Sequence, residues 1–213
     1  SRRSRLEPGR YDDPAAGGLM TRFEYAAIFY GIVVAMAIEI VAARVHRLLA
    51  AGKRVRWHWM APATAINSSL VVLGEFWILW SDRGLWTGSY SFFEFLPSAI
   101  RVTLMFLTAA ATLPDEVPEA GLDLKAFYFD NRRHYWGLVG AYFAFNIALN
   151  VVNLVRFGQN AVWQENLRWM IGDFVGLGTA GLLFLFRTYW VHVVGIAFGL
   201  ISLLFFLNAI QFT

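Results

Sequence analysis

The chain has no cysteine among its 213 residues, which excludes a disulfide framework, thiolate metal centres, iron–sulfur ligation and a cysteine nucleophile. It is also poor in charge: Asp, Glu, Lys and Arg make up 15%, where soluble domains average about 25%. It has no glycine-rich phosphate loop, no His-Glu-x-x-His, and no serine set beside a histidine and an acid at a recognisable spacing. The lack of such motifs weighs against an enzyme. No internal repeat is evident, whereas many carriers are built from repeated halves. The first twenty residues lack the apolar core of a secretory signal, so insertion is expected to start with the first spanning helix.

Apolar residues make up 58%, aromatics 17%, and mean hydropathy is +0.50. A chain this short has too little interior to hide such an excess, so a water-soluble monomer is excluded and a lipid bilayer is the expected solvent. A pI of about 9.4 and a net charge of +3 would point to nucleic acid in a soluble protein. Here the arginines cluster at the ends of apolar runs, the pattern of membrane orientation, and no nucleic-acid partner is expected.

Six segments qualify as spans: Tyr25–Ala43, Trp59–Trp80, Phe92–Leu113, Tyr135–Val155, Trp169–Phe186 and Thr188–Phe212. None has the alternation of barrel strands, and lipid forces backbone groups to pair within each segment, so helices are predicted. The last two runs are nearly contiguous. As one helix they would reach about 66 Å, twice the bilayer core, so the chain must reverse around Arg187. The expected fold class is an all-α, polytopic transmembrane bundle of six spans, with a short interfacial helix between spans three and four. Residues 1–21, with Arg2, Arg3, Arg5 and Arg10 among prolines and glycines, form a tail ahead of a membrane domain over 22–213. Met20 could be a translation start, which would make the residues before it non-native.

Lysines and arginines after spans one, three and five number nine (Arg44, Arg47, Lys53, Arg54, Arg56, Lys125, Arg132, Arg133, Arg187), against four on the other side (Arg22, Arg83, Arg156, Arg168). The first connection is therefore expected in the cytoplasm, with both termini outside. The four tail arginines would nearly erase this bias if the tail is native. Tyr25, Trp57, Trp59, Trp80, Tyr135, Trp136, Tyr189 and Trp190 flank the spans as an interfacial belt would.

Charges inside lipid are costly and need a partner or a purpose. The spans contain Glu39, Glu75, Glu94, Arg101 and Asp173. With helices alternating up and down, Glu75, Arg101 and Asp173 fall at about 7–14 Å beneath the outer surface, in one layer. Asn146, Asn150 and Asn153 line one face of span four, and Asn208 of span six joins them. An outward-facing polar pocket is expected, with Arg101 as counter-charge to Glu75 or Asp173 and Glu39 as a second, deeper station. The competing reading is structural: one ion pair fixing helix register, with the amides acting as interhelical glue. Several acids with one base leave surplus negative charge, which a proton or cation must meet.

His46, His58, His134 and His192 map to the inner ends of spans, but none has an i, i+4 partner, so no metal or haem is assigned and the cofactor stays open. Gly137 with Ala141, Gly172 with Gly176 and Gly195 with Gly199 have the spacing of close helix packing, which makes spans four to six the expected tight part. Ser68 and Ser69 read as packing residues. In the long connection Pro114–His134, Asp123 can cap a short helix lying on the membrane surface. Phe127, Tyr128, Arg132 and Arg133 then serve as an interface anchor or a docking site for a partner.

Leu113-Pro114-Asp115, the following Asp123-Leu124-Lys125-Ala126-Phe127-Tyr128, Arg54-Val55-Arg56-Trp57 and Glu75-Phe76-Trp77 together resemble a group of uncharacterised bacterial inner-membrane proteins frequent in alphaproteobacteria. The resemblance covers most of the chain from Met20. It implies a six-span architecture in the inner membrane and carries no activity. Two functions are expected. One is transport or sensing of a proton, cation or small cationic solute at the polar layer. The other is a non-catalytic subunit of a larger membrane assembly, of the pigment- or electron-transfer-associated kind, with membrane proteins or further copies of the chain as partners. An interfacial receptor acting through residues 114–134 is a weaker third.

Overall fold

The computed structural model describes residues 22–81, 92–157 and 163–209. Within them the chain is all-α, with six helices: α1 (Arg22–Ala51), α2 (Met60–Ser81), α3 (Phe92–Ala110), α4 (Leu124–Phe157), α5 (Trp163–Leu185) and α6 (Tyr189–Ala209). Four of them (α1, α2, α4 and α6) are long and apolar enough to cross a membrane, while α3 and α5 contain shorter apolar stretches. The break at residues 186–188 falls where the length argument required a reversal around Arg187, and α6 folds back so that Gly195 lies against Leu183. The tail 1–21 and the side chains of Glu94 and Asn208 lie outside the described residues.

The expected separate interfacial helix is instead the first turns of a single 34-residue helix, α4. The Asp123 carboxylate accepts the amides of Lys125 (2.8 Å) and Ala126 (3.2 Å), satisfying the donors a helix start leaves free. No proline or glycine follows until Gly137, so nothing stops the helix between the polar residues 130–134 and the apolar run beyond. These amides, Ala126's first, hold the Asp123 carboxyl below the usual carboxylate range.

At the end of the bundle where α4 begins, β1 (Val55–Arg56) pairs in parallel with β2 (Leu122–Asp123), Val55 opposite Leu122 and Arg56 opposite Asp123. Gly121, at φ +93°, admits the approach: a Cβ there would stand 2.9 Å from the Arg54 carbonyl oxygen. Buried Arg44 pairs with Asp115 and donates to the Leu113 carbonyl (3.0 Å), Arg47 donates to the Asp115 carbonyl (2.8 Å), and Asn131 to that of Ala111 (2.6 Å). The connection between α3 and α4 is thus stitched to α1 and α4.

The apolar core runs along the bundle in three clusters. Ala26, Tyr30, Leu79 and Val102 form the first, Val34, Ala37, Val72, Met105 and Ala109 the second, and a larger inner one includes Met60, Leu124, Tyr135 and Leu183. Helices α4 and α5 make the most extensive contact, whereas α6 packs more on α2 than on α5 and approaches α5 closely where Gly195 meets Leu183. A Cβ on Gly176 would fall inside the Phe143 ring; Gly172 and Gly199, expected to pack, face open space. The outer surface is strongly apolar, with Ile28, Ile32, Met36, Phe174, Val194 and Phe205 all exposed.

Candidate functional site

Five helices bring the polar interior together. Glu75 of α2 is 7% exposed, and its Oε2 lies 3.0 Å from Nη2 of Arg101 on α3. Its Oε1 accepts the Tyr142 hydroxyl of α4 at 3.0 Å. Asn146, one turn along α4, interacts with both Tyr142 and Asp173 of α5, and Asn150 Nδ2 donates to Asp173 Oδ2 at 3.1 Å. Asp173 also feels the charges of Glu75 and Arg101. Tyr30 of α1 closes the remaining side: its oxygen faces Arg101 while its hydroxyl donates to the Ser98 carbonyl at 3.3 Å. Among the described residues two carboxylates and one guanidinium share the cluster, so with these groups ionised they carry one negative charge in excess. Arg101 Nε and Glu75 Oε2 are buried without a hydrogen bond inside the protein.

Of the residues singled out in the sequence, Glu75, Arg101, Asp173, Asn146 and Asn150 meet. Glu39 does not: it is exposed on the outer face of α1, between exposed Ala35, Met36 and Ala42. Asn153 is likewise exposed. Tyr30 and Tyr142 join the cluster although the sequence reading does not single them out, and Ser68, expected only to pack, is hydrogen-bonded. For Tyr142 the signal is spacing, since Tyr128, Tyr135 and Tyr142 recur every seven residues and occupy one face of α4.

Each tyrosine of that row has a partner on another helix. Tyr135 is joined to Ser68 of α2 at 3.1 Å, and Tyr142 to Glu75, also of α2; both pairs are 67 residues apart, so α2 and α4 run parallel in register. Tyr128 reaches Nδ1 of His192 on α6 at 2.7 Å, while Nε2 of that ring lies 2.9 Å from the Phe186 carbonyl. A carbonyl only accepts, so Nε2 carries the proton, Nδ1 accepts from Tyr128, and the Tyr128 oxygen accepts Trp136 Nε1 at 3.1 Å. His192 is fully buried with both nitrogens used, a satisfied core histidine.

This removes Tyr128 from the expected docking surface, because at 4% exposure it is committed to the core. Arg132 bonds the Phe129 carbonyl of its own helix at 2.8 Å, Arg133 is exposed with its guanidinium 6.0 Å from the Phe184 ring, and Phe127 is half-buried. Among the described residues no three His, Asp or Glu converge as a metal site would need. His46 and His134 are exposed; His58 is partly covered, and burial, followed by the charge of Lys125, holds its imidazole below the usual range.

A shallow cleft of about 430 Å³ lies at the end of the bundle where α4 begins, lined by Asp123, Lys125, Phe129, Arg187 and Tyr189. Its cations are already engaged: Arg187 bonds Asp130 at 3.1 Å, and Lys125 sits 5.0 Å over the Tyr189 ring. Among the described residues, acidic, basic and amide side chains from separate helices meet in the interior at the Glu75 cluster. Comparison of the chain with known protein families, curated proteins and solved structures finds no match.

Proposed function

We propose that this chain is a six-span integral membrane protein that transports or senses protons at the Glu75, Arg101 and Asp173 cluster, in the inner membrane of a bacterium. The apolar outer surface and the four long apolar helices support the bilayer as its solvent. In this reading the basic end carrying Arg44, Arg56 and Lys125 faces the cytoplasm, and both termini lie outside. The observation that carries the proposal is the unbroken polar chain from Arg101 through Glu75, Tyr142 and Asn146 to Asp173, with one carboxylate more than its cations. Surplus negative charge in a low-dielectric interior calls for a positive ion, and the close contacts around Glu75 favour the smallest over any organic cation.

The test is proton flux in proteoliposomes carrying a pH-sensitive dye, driven by an imposed potential. Glu75→Gln and Asp173→Asn are expected to abolish flux that the wild-type chain supports. Unchanged flux in Glu75→Gln removes that residue from the path, and wild-type flux no faster than empty liposomes removes the transport reading. Exposed Glu39 favours a second reading, an accessory subunit whose partner meets that carboxyl in the membrane. Gentle detergent extraction then yields stoichiometric partners; a lone chain counts against it.

A further inference from the structure

Between the Ser68–Tyr135 and Glu75–Tyr142 pairs lies a partly open cavity of about 70 Å³ flanked by α2, α3 and α4. Its lining is mostly apolar, from Val71, Met105, Val139 and Phe143, and Asn67, Ser68, Thr108, Tyr135 and Tyr142 supply its polar groups. The two pairs are seven residues apart on each helix, so about 10 Å separates them along the axis. A water molecule occupies about 30 Å³ in the liquid, which gives the cavity room for two or three, and three, joined by four hydrogen bonds of about 2.8 Å, bridge about 10 Å.

The lining has matching valences. Asn67 Oδ1 is buried and has no hydrogen-bond partner inside the protein, an acceptor that requires a donor. The Thr108 hydroxyl donates to the Leu104 carbonyl at 2.8 Å, which leaves its lone pairs to accept. Tyr142 donates to Glu75, so its own oxygen can accept from the cavity side. An oxygen bonded on both sides is the element of a proton relay.

We propose that this cavity binds a short file of water that joins the Ser68–Tyr135 pair to Glu75, extending the polar cluster toward the opposite end of the bundle. The inference rests on the proton-handling reading above. In the relay, a proton arriving at the water beside Tyr135 forms one O–H bond as that water releases a proton to the next. The last water protonates the Tyr142 oxygen while the original Tyr142 O–H bond breaks toward Glu75 Oε1. One proton enters, one carboxylic acid forms, and every intermediate oxygen ends with the hydrogens it began with.

Two measurements on the full chain in lipid test this. A structure at a resolution that shows ordered water is expected to place two or three waters between the Tyr135 and Tyr142 hydroxyls, with one donating to Asn67 Oδ1. A cavity filled by side chains or an acyl chain overturns the proposal. In proteoliposomes, Tyr135→Phe, which keeps the ring and removes the hydroxyl, is expected to slow flux about tenfold, the factor matching one lost hydrogen bond. Thr108→Val tests the same file from α3 and is expected to slow flux in the same direction.

Flux within about twofold of wild type in both variants, with Glu75→Gln still inactive, overturns the water file and leaves the Glu75 reading standing. Flux unchanged in Glu75→Gln overturns both. Where the wild-type chain carries no flux, the transport reading falls and the water positions alone decide whether the site exists.

Discussion

Replacing Arg101 by Met keeps a shorter, unbranched apolar stem and removes the cation that, among the described residues, faces two carboxylates. At the 3.0 Å separation of Arg101 and Glu75, and an effective dielectric constant of about 20, their attraction is about 5.5 kcal/mol. Part of this offsets the desolvation of both ions, and breaking a buried pair from one side costs about 3–5 kcal/mol because the remaining charge stays uncompensated. Arg101 is 31% exposed, so the lower end applies and a loss of about 3 kcal/mol is expected. Glu75→Met alone strands the guanidinium and is expected to cost a similar amount. The double variant removes both charges and is expected within about 1 kcal/mol of wild type, since a well-packed apolar pair can replace a buried ion pair. Equilibrium unfolding in mixed micelles titrated with a denaturing detergent, followed by tryptophan fluorescence, measures all three. A loss below about 1 kcal/mol in Arg101→Met, or losses that simply add in the double variant, refutes the claim that the two side chains are energetically coupled.

Gly176→Val drives a branched side chain into the Phe143 ring and is expected to destabilise by about 1–3 kcal/mol, while Gly172→Val, facing open space, is nearly neutral; the same unfolding titration separates them. Tyr128→Phe leaves His192 Nδ1 and Trp136 Nε1 without their shared partner and is expected to cost about 1–3 kcal/mol, visible as a lowered thermal midpoint and a changed near-ultraviolet tryptophan signal. Asp123→Ala removes the side-chain cap of α4 and is expected to lower stability in the same unfolding titration. Because the carboxyl is held low in the folded chain, the cap's contribution is complete above the unfolded value near pH 4 and is lost as pH falls through the folded one. Wild type and Asp123→Ala are therefore expected to converge in stability on acidification.

Hydropathy made the helices legible, because a run of about twenty apolar residues has few alternatives to a helix in either lipid or a protein core. Depth arithmetic made Glu75, Arg101 and Asp173 legible as one layer, since residue rise fixes height whatever the rotation. Rotation was not legible: Glu39 sits at a credible depth yet faces outward, because in an apolar bundle the outer face is as greasy as the inner one and the period carries no sign. Tyr30, Tyr135 and Tyr142 were hidden by composition, among many aromatics that read as packing or as an interfacial belt. The start of α4 at the Asp123 cap was visible, but the charges at Asp130, Arg132 and Arg133 masked its continuity, being set against membrane hydropathy instead of helix propensity. The two-residue strands have no local signal, because their pairing depends on residues 67 positions away.

That strand pair acts as a zero mark for everything beyond it. Val55 and Leu122 stand at the same interval as Ser68 and Tyr135, and as Glu75 and Tyr142, so alignment set at the clasp persists through about four turns of α2 and about five of α4. Adding or deleting one residue between Trp57 and Trp59 would turn α2 by about 100° against that fixed origin and swing both Ser68 and Glu75 off their tyrosines at once. The length of this small connector is thus a tuned dimension, and a chain altered only there would fold its helices and lose its polar interior.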